Sequence, residues 1–220
     1  QTQVIDEEPG VDEEPVMESS QPVCGPGTVL KNNVCVAEQQ SGGGCLIATA
    51  ALFYTKNPKL KRGDEVIVPA VSWSTTYFPL QQYGLKLKFV DIDLETLNYD
   101  LTSLESAITD DTKMIMIVNL LGNPNDFDAI NSLIEGKDIL LIEDNCESMG
   151  AEFKGKQAGT FGIMGTFSTF FSHHMATMEG GFVTTNDEEL YHILLSLRAH
   201  GWTRNLPDIN KVSNKSDDWF

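Results

Sequence analysis

The sequence predicts an α/β protein with a mainly parallel sheet flanked by helices. Three observations point there. From Lys61 onward, short β-branched runs alternate with amphipathic stretches of helical period. The run ILLIEDNC, Ile139–Cys146, ends an apolar strand in Glu-Asp, and parallel α/β sheets bind ligands at the carboxyl ends of their strands. The chain has 220 residues, 41% hydrophobic and 21% charged, enough for one such domain with a real core plus a tail.

Taken in order, residues 1–23 come first. They carry seven acidic residues (Asp6, Glu7, Glu8, Asp12, Glu13, Glu14 and Glu18) and no Lys or Arg. Such a segment buries too little apolar area to offset chain entropy and is expected to be disordered. Residues 24–44 read as a Cys-bounded turn unit followed by a Gly-rich linker. Cys24 and Cys35 bracket Gly-Pro-Gly and Asn-Asn turns, a pair that an oxidising compartment would join. Cys45 and Cys146 have no partner at a telling spacing. A helix over 45–56 opens the domain proper, 45–220. The expected strands are Val66–Val68, Lys88–Val90, Met114–Asn119, Ile139–Glu143, Gly165–Thr169 and Phe182–Thr184. Helices are expected over 74–83, 101–108, 126–135 and 187–199. Asp100 is the expected N-cap of the second of these, and Asn186 with Glu189 the capping box of the last. No internal repeat is present.

Net charge is −17, which argues against nucleic acid and against an anionic membrane surface as partners. No apolar run reaches the ~20 residues of a membrane helix; the best, Cys45–Tyr54, is too short.

Three stretches carry chemistry. Asp144, at a strand's carboxyl end, can meet a cationic ligand nitrogen, or can simply cap a turn. In TFSTFFSHHMATMEGG, Thr166–Gly181, aromatics and hydroxyls run into two histidines and then a Glu-Gly-Gly return. One histidine can be a packed core group and the other exposed. A metal reading is weak, since no third ligand stands at a suitable spacing and no CxxC pair occurs. His192 and His200 read as ordinary helix residues. In PAVSWSTT, Pro69–Thr76, a Trp among hydroxyls follows a strand. Trp73 can belong to the core or can stack on a planar ring.

Six segments, GDEVIVPAVSW, KFVDIDLETLNYDLTSLESAIT, VNLLGNPNDFD, LIEDNCESMGA, GTFGIMGTFSTFFSHHMATMEGG and LRAHGWTRNLP, in this order and spacing resemble the DegT/DnrJ/EryC1/StrS sugar aminotransferases. The resemblance runs from about Ala50 to about Asp217 and covers less than half of a full-length member. It implies part of the large domain of a fold-type-I transferase dependent on pyridoxal 5'-phosphate, with the C-terminal small domain outside the chain. By position, Asp144 would pair with the pyridine nitrogen of pyridoxal or pyridoxamine 5'-phosphate. Trp73 would stack on the ring, Glu147 would sit at its hydroxyl edge, and Ser168 would hold the phosphate. Where aminotransferase relatives carry a lysine, this chain has His173, with the adjacent His174 as the alternative occupant of that slot.

An imidazole cannot condense with the cofactor aldehyde as a lysine amine does, but it can shuttle a proton near neutral pH. The resemblance therefore implies a 3-dehydratase acting on a GDP-linked 4-keto-6-deoxyhexose, in deoxysugar and O-antigen polysaccharide biosynthesis. It further implies glutamate as amino donor, a homodimer and a cytoplasmic setting. The alternatives are an aminotransferase of the same family and a non-catalytic fusion or surface protein. The chain departs from the family at Ser-Gly-Gly-Gly-Cys, where relatives carry hydroxyls that bind phosphate. There Gly42 and Gly43, at a helix N-terminus, could still bind an anion. Residues 24–50 more weakly resemble a segment of archaeal cell-surface proteins, with a seam expected near Thr49–Leu52.

Overall fold

The computed structural model describes residues 28–31, 34–39 and 43–213. The acidic tail, Cys24 and Gly42 lie outside the described residues, and with them the expectations of tail disorder and of a Cys24–Cys35 disulfide.

The elements follow in the order β1 (Thr28–Lys31), β2 (Val34–Gln39), α1 (Gly44–Tyr54), β3 (Glu65–Pro69), α2 (Ser74–Gln82), β4 (Lys86–Val90), α3 (Leu101–Ala107) and β5 (Thr112–Val118). Then come α4 (Phe127–Ile134), β6 (Leu140–Asp144), β7 (Glu152–Phe153), β8 (Lys156–Gln157), β9 (Met164–Ser168), β10 (Gly181–Thr185) and α5 (Glu188–Leu197). Eight strands form one sheet in the order β1-β2-β10-β9-β6-β5-β3-β4, and β7 pairs with β8 apart from it. The run β9-β6-β5-β3-β4 is parallel. The flank β1-β2-β10 is antiparallel throughout, including its junction with β9.

Alternation along the strands builds two cores. Val66 and Val68, Met114 and Met116, and Ile142 face α1, α2 and α5, packing with Ala48, Leu52, Leu80, Leu190 and Leu194. Ile67, Ile115, Ile117 and Leu141 point the other way, onto Leu104 of α3 and Phe127 and Ile130 of α4. Successive strand side chains alternate faces, and a strand covered on both faces must be apolar nearly throughout. Each fully buried large side chain contributes ~1.5–3 kcal/mol.

Helix α1 is buried along most of its length, with Ala48, Ala50 and Ala51 among its buried residues. Its small side chains let it lie against β9, β10, α2 and α5.

The parallel register brings the carboxyl ends of the strands to one rim. Val118 pairs with Asp144, and Asp144 with Thr166. Ser168 lies beside Gly181, where β10 returns. A Cβ at Gly181 would meet the Phe167 carbonyl oxygen at 2.6 Å, so the return needs glycine there.

All six expected strands are present, each with ends within two residues of the expected ones, and all five expected helices are present. Asp100 caps α3 as expected, accepting from Ser103 N–H at 2.7 Å. Three expectations are corrected. The stretch read as a turn unit ahead of the domain contributes β1 and β2 to the main sheet, because β2 pairs with β10. The cap of α5 is Asp187, which accepts from Leu190 N–H at 3.0 Å, rather than an Asn186–Glu189 box. Glu189 instead accepts from the backbone N–H of Lys56, a tertiary bond that outcompetes the local one. His200 lies past the end of α5 with φ +60° and is a turn residue. His192 is helical as read, and the structure buries it, its Nδ1 accepting from Lys211 N–H at 3.3 Å.

Candidate functional site

A cavity of about 420 Å³ opens on the rim. Four strand-to-helix or strand-to-strand connections and the start of α1 line it. Trp73 and Thr76 come from the entry to α2, and Asn119 follows β5. Asp144, Cys146 and Glu147 end or follow β6; Ser168, Phe170 and His173 end or follow β9.

Asp144 is the buried charge at its floor, 5% exposed. Thr76 donates to its Oδ2 at 2.8 Å, and the backbone N–H of Cys146 donates to its Oδ1 at 3.1 Å. The Cys45 thiol lies 3.5 Å from Oδ2 and 3.2 Å from Thr166 Oγ1. Cys45 and Cys146, without a telling spacing in sequence, therefore meet around one carboxylate. The Cys45 contact, then burial and the Asp144 charge, push the Cys146 thiol far above its ordinary range. That thiol stays protonated at neutral pH and is not poised as a nucleophile.

Behind Asp144 the floor is a lattice of amides. Asn119 N–H donates to the Asp144 carbonyl at 3.1 Å. The Asn119 side chain donates to Asn145 Oδ1 at 2.8 Å and accepts from Asn125 N–H at 2.9 Å. Asn119, Asn125 and Asn145 are each at most 1% exposed. Buried amides stabilise a fold only when partnered, and these are.

Glu143 and Asp144 are neighbours that face opposite ways. Glu143 is fully buried and accepts from the backbone N–H groups of Gly159, Phe161 and Gly162 at 2.6, 2.6 and 2.8 Å. Burial pushes its carboxyl above the ordinary range, and the three N–H bonds pull back against that rise. Glu143 thus anchors the loop that leads into β9, whereas Asp144 faces the cavity.

The remaining expected residues fall as follows. Trp73, 76% exposed, forms the outer wall. Glu147 lines the cavity and accepts from Leu121 N–H at 3.0 Å, tying down a turn whose Leu121 has φ +52°. Ser168 accepts from Phe170 N–H at 3.2 Å. His173 lines the cavity; His174 is exposed and does not. Gly43 is the N-cap of α1, and no side chain caps that helix.

Trp73, Asp144, Glu147, Ser168 and His173 thus share one cavity. Sequence reasoning missed Thr76, Asn119, Glu143 and the Cys45–Cys146 contact. The spacing of three between Trp73 and Thr76, one helical turn, was the available signal for the first. Among the described residues, no group of three or more His, Cys, Asp or Glu is placed to hold a metal ion. No helix there is long and apolar enough to cross a membrane.

The model of the DegT/DnrJ/EryC1/StrS aminotransferase family matches residues 31–215, starting upstream of the seam expected near Thr49–Leu52. Similar proteins include GDP-4-keto-6-deoxy-D-mannose 3-dehydratase of Escherichia coli O55:H7, 70% identical over 80% of this chain and 45% of that protein. The protein of the same name from Yersinia pseudotuberculosis is 73% identical over the same shares. A crystal structure of a GDP-4-keto-6-deoxymannose-3-dehydratase variant with bound GDP-perosamine superposes with a TM-score of 0.82 at 66% identity, covering 84% of this chain and 49% of that one. Another, with a trapped PLP-glutamate geminal diamine, has a TM-score of 0.80 at 67% identity, over 81% of this chain and 47% of that one. The chain spans about half the length of the curated relatives it matches.

Proposed function

The chain belongs to the DegT/DnrJ/EryC1/StrS aminotransferase family, and from that premise we propose that it is large-domain sequence of a sugar 3-dehydratase. It would hold pyridoxal or pyridoxamine 5'-phosphate and act on a GDP-linked 4-keto-6-deoxyhexose. One observation carries the reading: a histidine, His173, shares a cavity with a buried carboxylate, an exposed indole and a strand-end serine, and among the described residues no lysine lines that cavity.

The donor set fits the group. Asp144, held from both oxygens, would pair with the protonated ring nitrogen. Trp73 would cover one ring face, and Glu147 would stand at the ring's hydroxyl edge. Ser168 and the uncapped start of α1 at Gly43 would meet the phosphate, since a helix N-terminus favours an anion. When bound, the group supplies an electron-accepting ring. His173 Nε2 or Nδ1 would take a proton from the cofactor's C4' carbon and return one to the departing C3 hydroxyl.

Glutamate as amino donor and a homodimeric assembly complete the proposal. The first is supported by the PLP-glutamate adduct in a relative. The second is supported by the apolar side chains exposed near the cavity, Trp73, Phe171 and Met178, which a neighbouring surface would cover.

The test is a titration of the chain with each cofactor form, followed by borohydride and intact mass. A saturable absorbance change with no covalently retained cofactor is expected, and His173→Lys should create a borohydride-fixable adduct. Absence of binding, or cofactor fixed to a lysine of the native sequence, would overturn the reading.

A further inference from the structure

The carboxylate assigned to the ring nitrogen is itself held by a hydroxyl from another element. Thr76 lies in the first turn of α2, is fully buried, and donates to Asp144 Oδ2 at 2.8 Å. Ser72 Oγ stands 2.8 Å from the same hydroxyl. A threonine hydroxyl has one proton, and an ionised carboxylate only accepts. Thr76 therefore gives its proton to Asp144 and takes one from Ser72. The two hydroxyls form a directed chain that ends on the carboxylate, and each bond polarises the next. Oδ1 is fixed by a different element, through the Cys146 N–H at 3.1 Å. With one oxygen pinned from α2 and the other from the turn after β6, the plane of the carboxylate is set before any ligand arrives.

We propose that Thr76, supported by Ser72, is a positioning residue: it fixes Asp144 so that the cavity selects a protonated aromatic nitrogen over the same ring without one. The proposal rests on the cofactor reading above. The helical turn that carries Thr76 begins at Trp73, the N-cap of α2, so one rigid element locates both the ring face and the ring nitrogen. Without the hydroxyl, the Cys45 thiol remains 3.5 Å from Oδ2, and a thiol is a weak donor. Its orientation would then have to be fixed at the moment of binding, which lowers affinity.

The experiment measures binding of pyridoxamine 5'-phosphate and of its 1-deaza analogue, whose ring carries no nitrogen, to the full 220-residue chain. Thr76→Val keeps the side chain's volume and removes its proton; Thr76→Ser keeps the proton. The native chain should prefer the nitrogen-containing ring. Thr76→Val should lose about tenfold in affinity for that ring, the scale of one hydrogen bond to a charged group, with little change for the analogue. Thr76→Ser should restore the preference, and Ser72→Ala should lose less than Thr76→Val. A Thr76→Val chain that keeps the native preference, or that loses both ligands equally, would overturn the positioning role. A native chain that does not distinguish the two rings would overturn the functional reading instead.

Discussion

The floor and the mouth of the cavity are built on opposite principles. At the floor, Asp144, Thr76, Asn119 and Asn145 are all buried, and each is hydrogen-bonded to residues from other elements. At the mouth, Trp73, Phe171 and Met178 are 76%, 64% and 77% exposed, and His173 lies between the last two on the loop from β9 to β10. A pre-formed floor can orient a ligand without reorganising, whereas a mouth so exposed gains its order from what covers it. The floor therefore couples fold and binding, and the mouth should separate them.

The sharpest break between the two would come from His173→Asn at the mouth. On the proposed function, it should lower dehydration of a GDP-linked 4-keto-6-deoxyhexose by a full-length protein containing this sequence by ~10²–10⁴-fold, as expected for a lost proton shuttle. The urea midpoint should stay at the native value. Full activity, measured by sugar product formation, would move the assignment off this residue.

Below the floor, Glu143→Ala should show the reverse pattern. It leaves three buried N–H groups without their acceptor, at a cost of about 3 kcal/mol, read from urea unfolding. The pH dependence of the native chain should carry the same signature. The folded carboxyl of Glu143 holds its proton more tightly than the unfolded one. Its contribution is therefore fully present at acid pH and falls as pH rises through the window above the ordinary glutamate value. A Glu143→Gln chain should lack that slope, and an identical slope in both chains would count against the assignment.

A smaller effect is expected at the wall. Trp73→Ala should leave stability within ~0.5 kcal/mol, as for an exposed residue. It should weaken cofactor binding about tenfold by titration, the scale of a lost ring stack with its buried area. A melting temperature that drops with affinity would show that the wall belongs to the core after all.

The smallest effect lies away from both regions. Burial lowers the His192 pKa, and its Nδ1 accepts from Lys211 N–H, so the fold prefers the neutral ring. That contribution is present above the unfolded histidine value and is lost as pH falls beneath it. Stability should decline by less than about 1 kcal/mol between pH 7 and 5.5. A His192→Gln chain should show a flatter profile over that range in urea unfolding.

The legible parts of the molecule were those whose reasons are local. Strands covered on both faces must read as apolar runs, so β3, β5 and β6 announced themselves. Residues just past such runs, Trp73, Asp144 and His173, were then natural candidates for a rim. What escaped depends on partners distant in sequence. Nothing near Val34–Gln39 says that β10 will pair with it. Glu189 looks like half of a capping box until Lys56 arrives to claim it. The Glu143-Asp144 doublet reads as one acidic strand end, although strand alternation sends the two carboxylates to different tasks. Cys45 and Cys146 became neighbours only once α1 was laid across the sheet beside β9.

The far edge of the sheet carries a different lesson. Among the described residues, β4 has a neighbour on one side only, and an open strand edge is a template on which other chains can polymerise. Here that edge is five residues long and bears Lys86 and Lys88, with Lys88 3.6 Å from Glu65 on the neighbouring strand. A second chain adding to it in register would bring cation against cation and gain few backbone bonds in return. The edge that carries no chemistry thus works as a guard against aggregation, and Lys88→Val beside the exposed Phe89 would remove it.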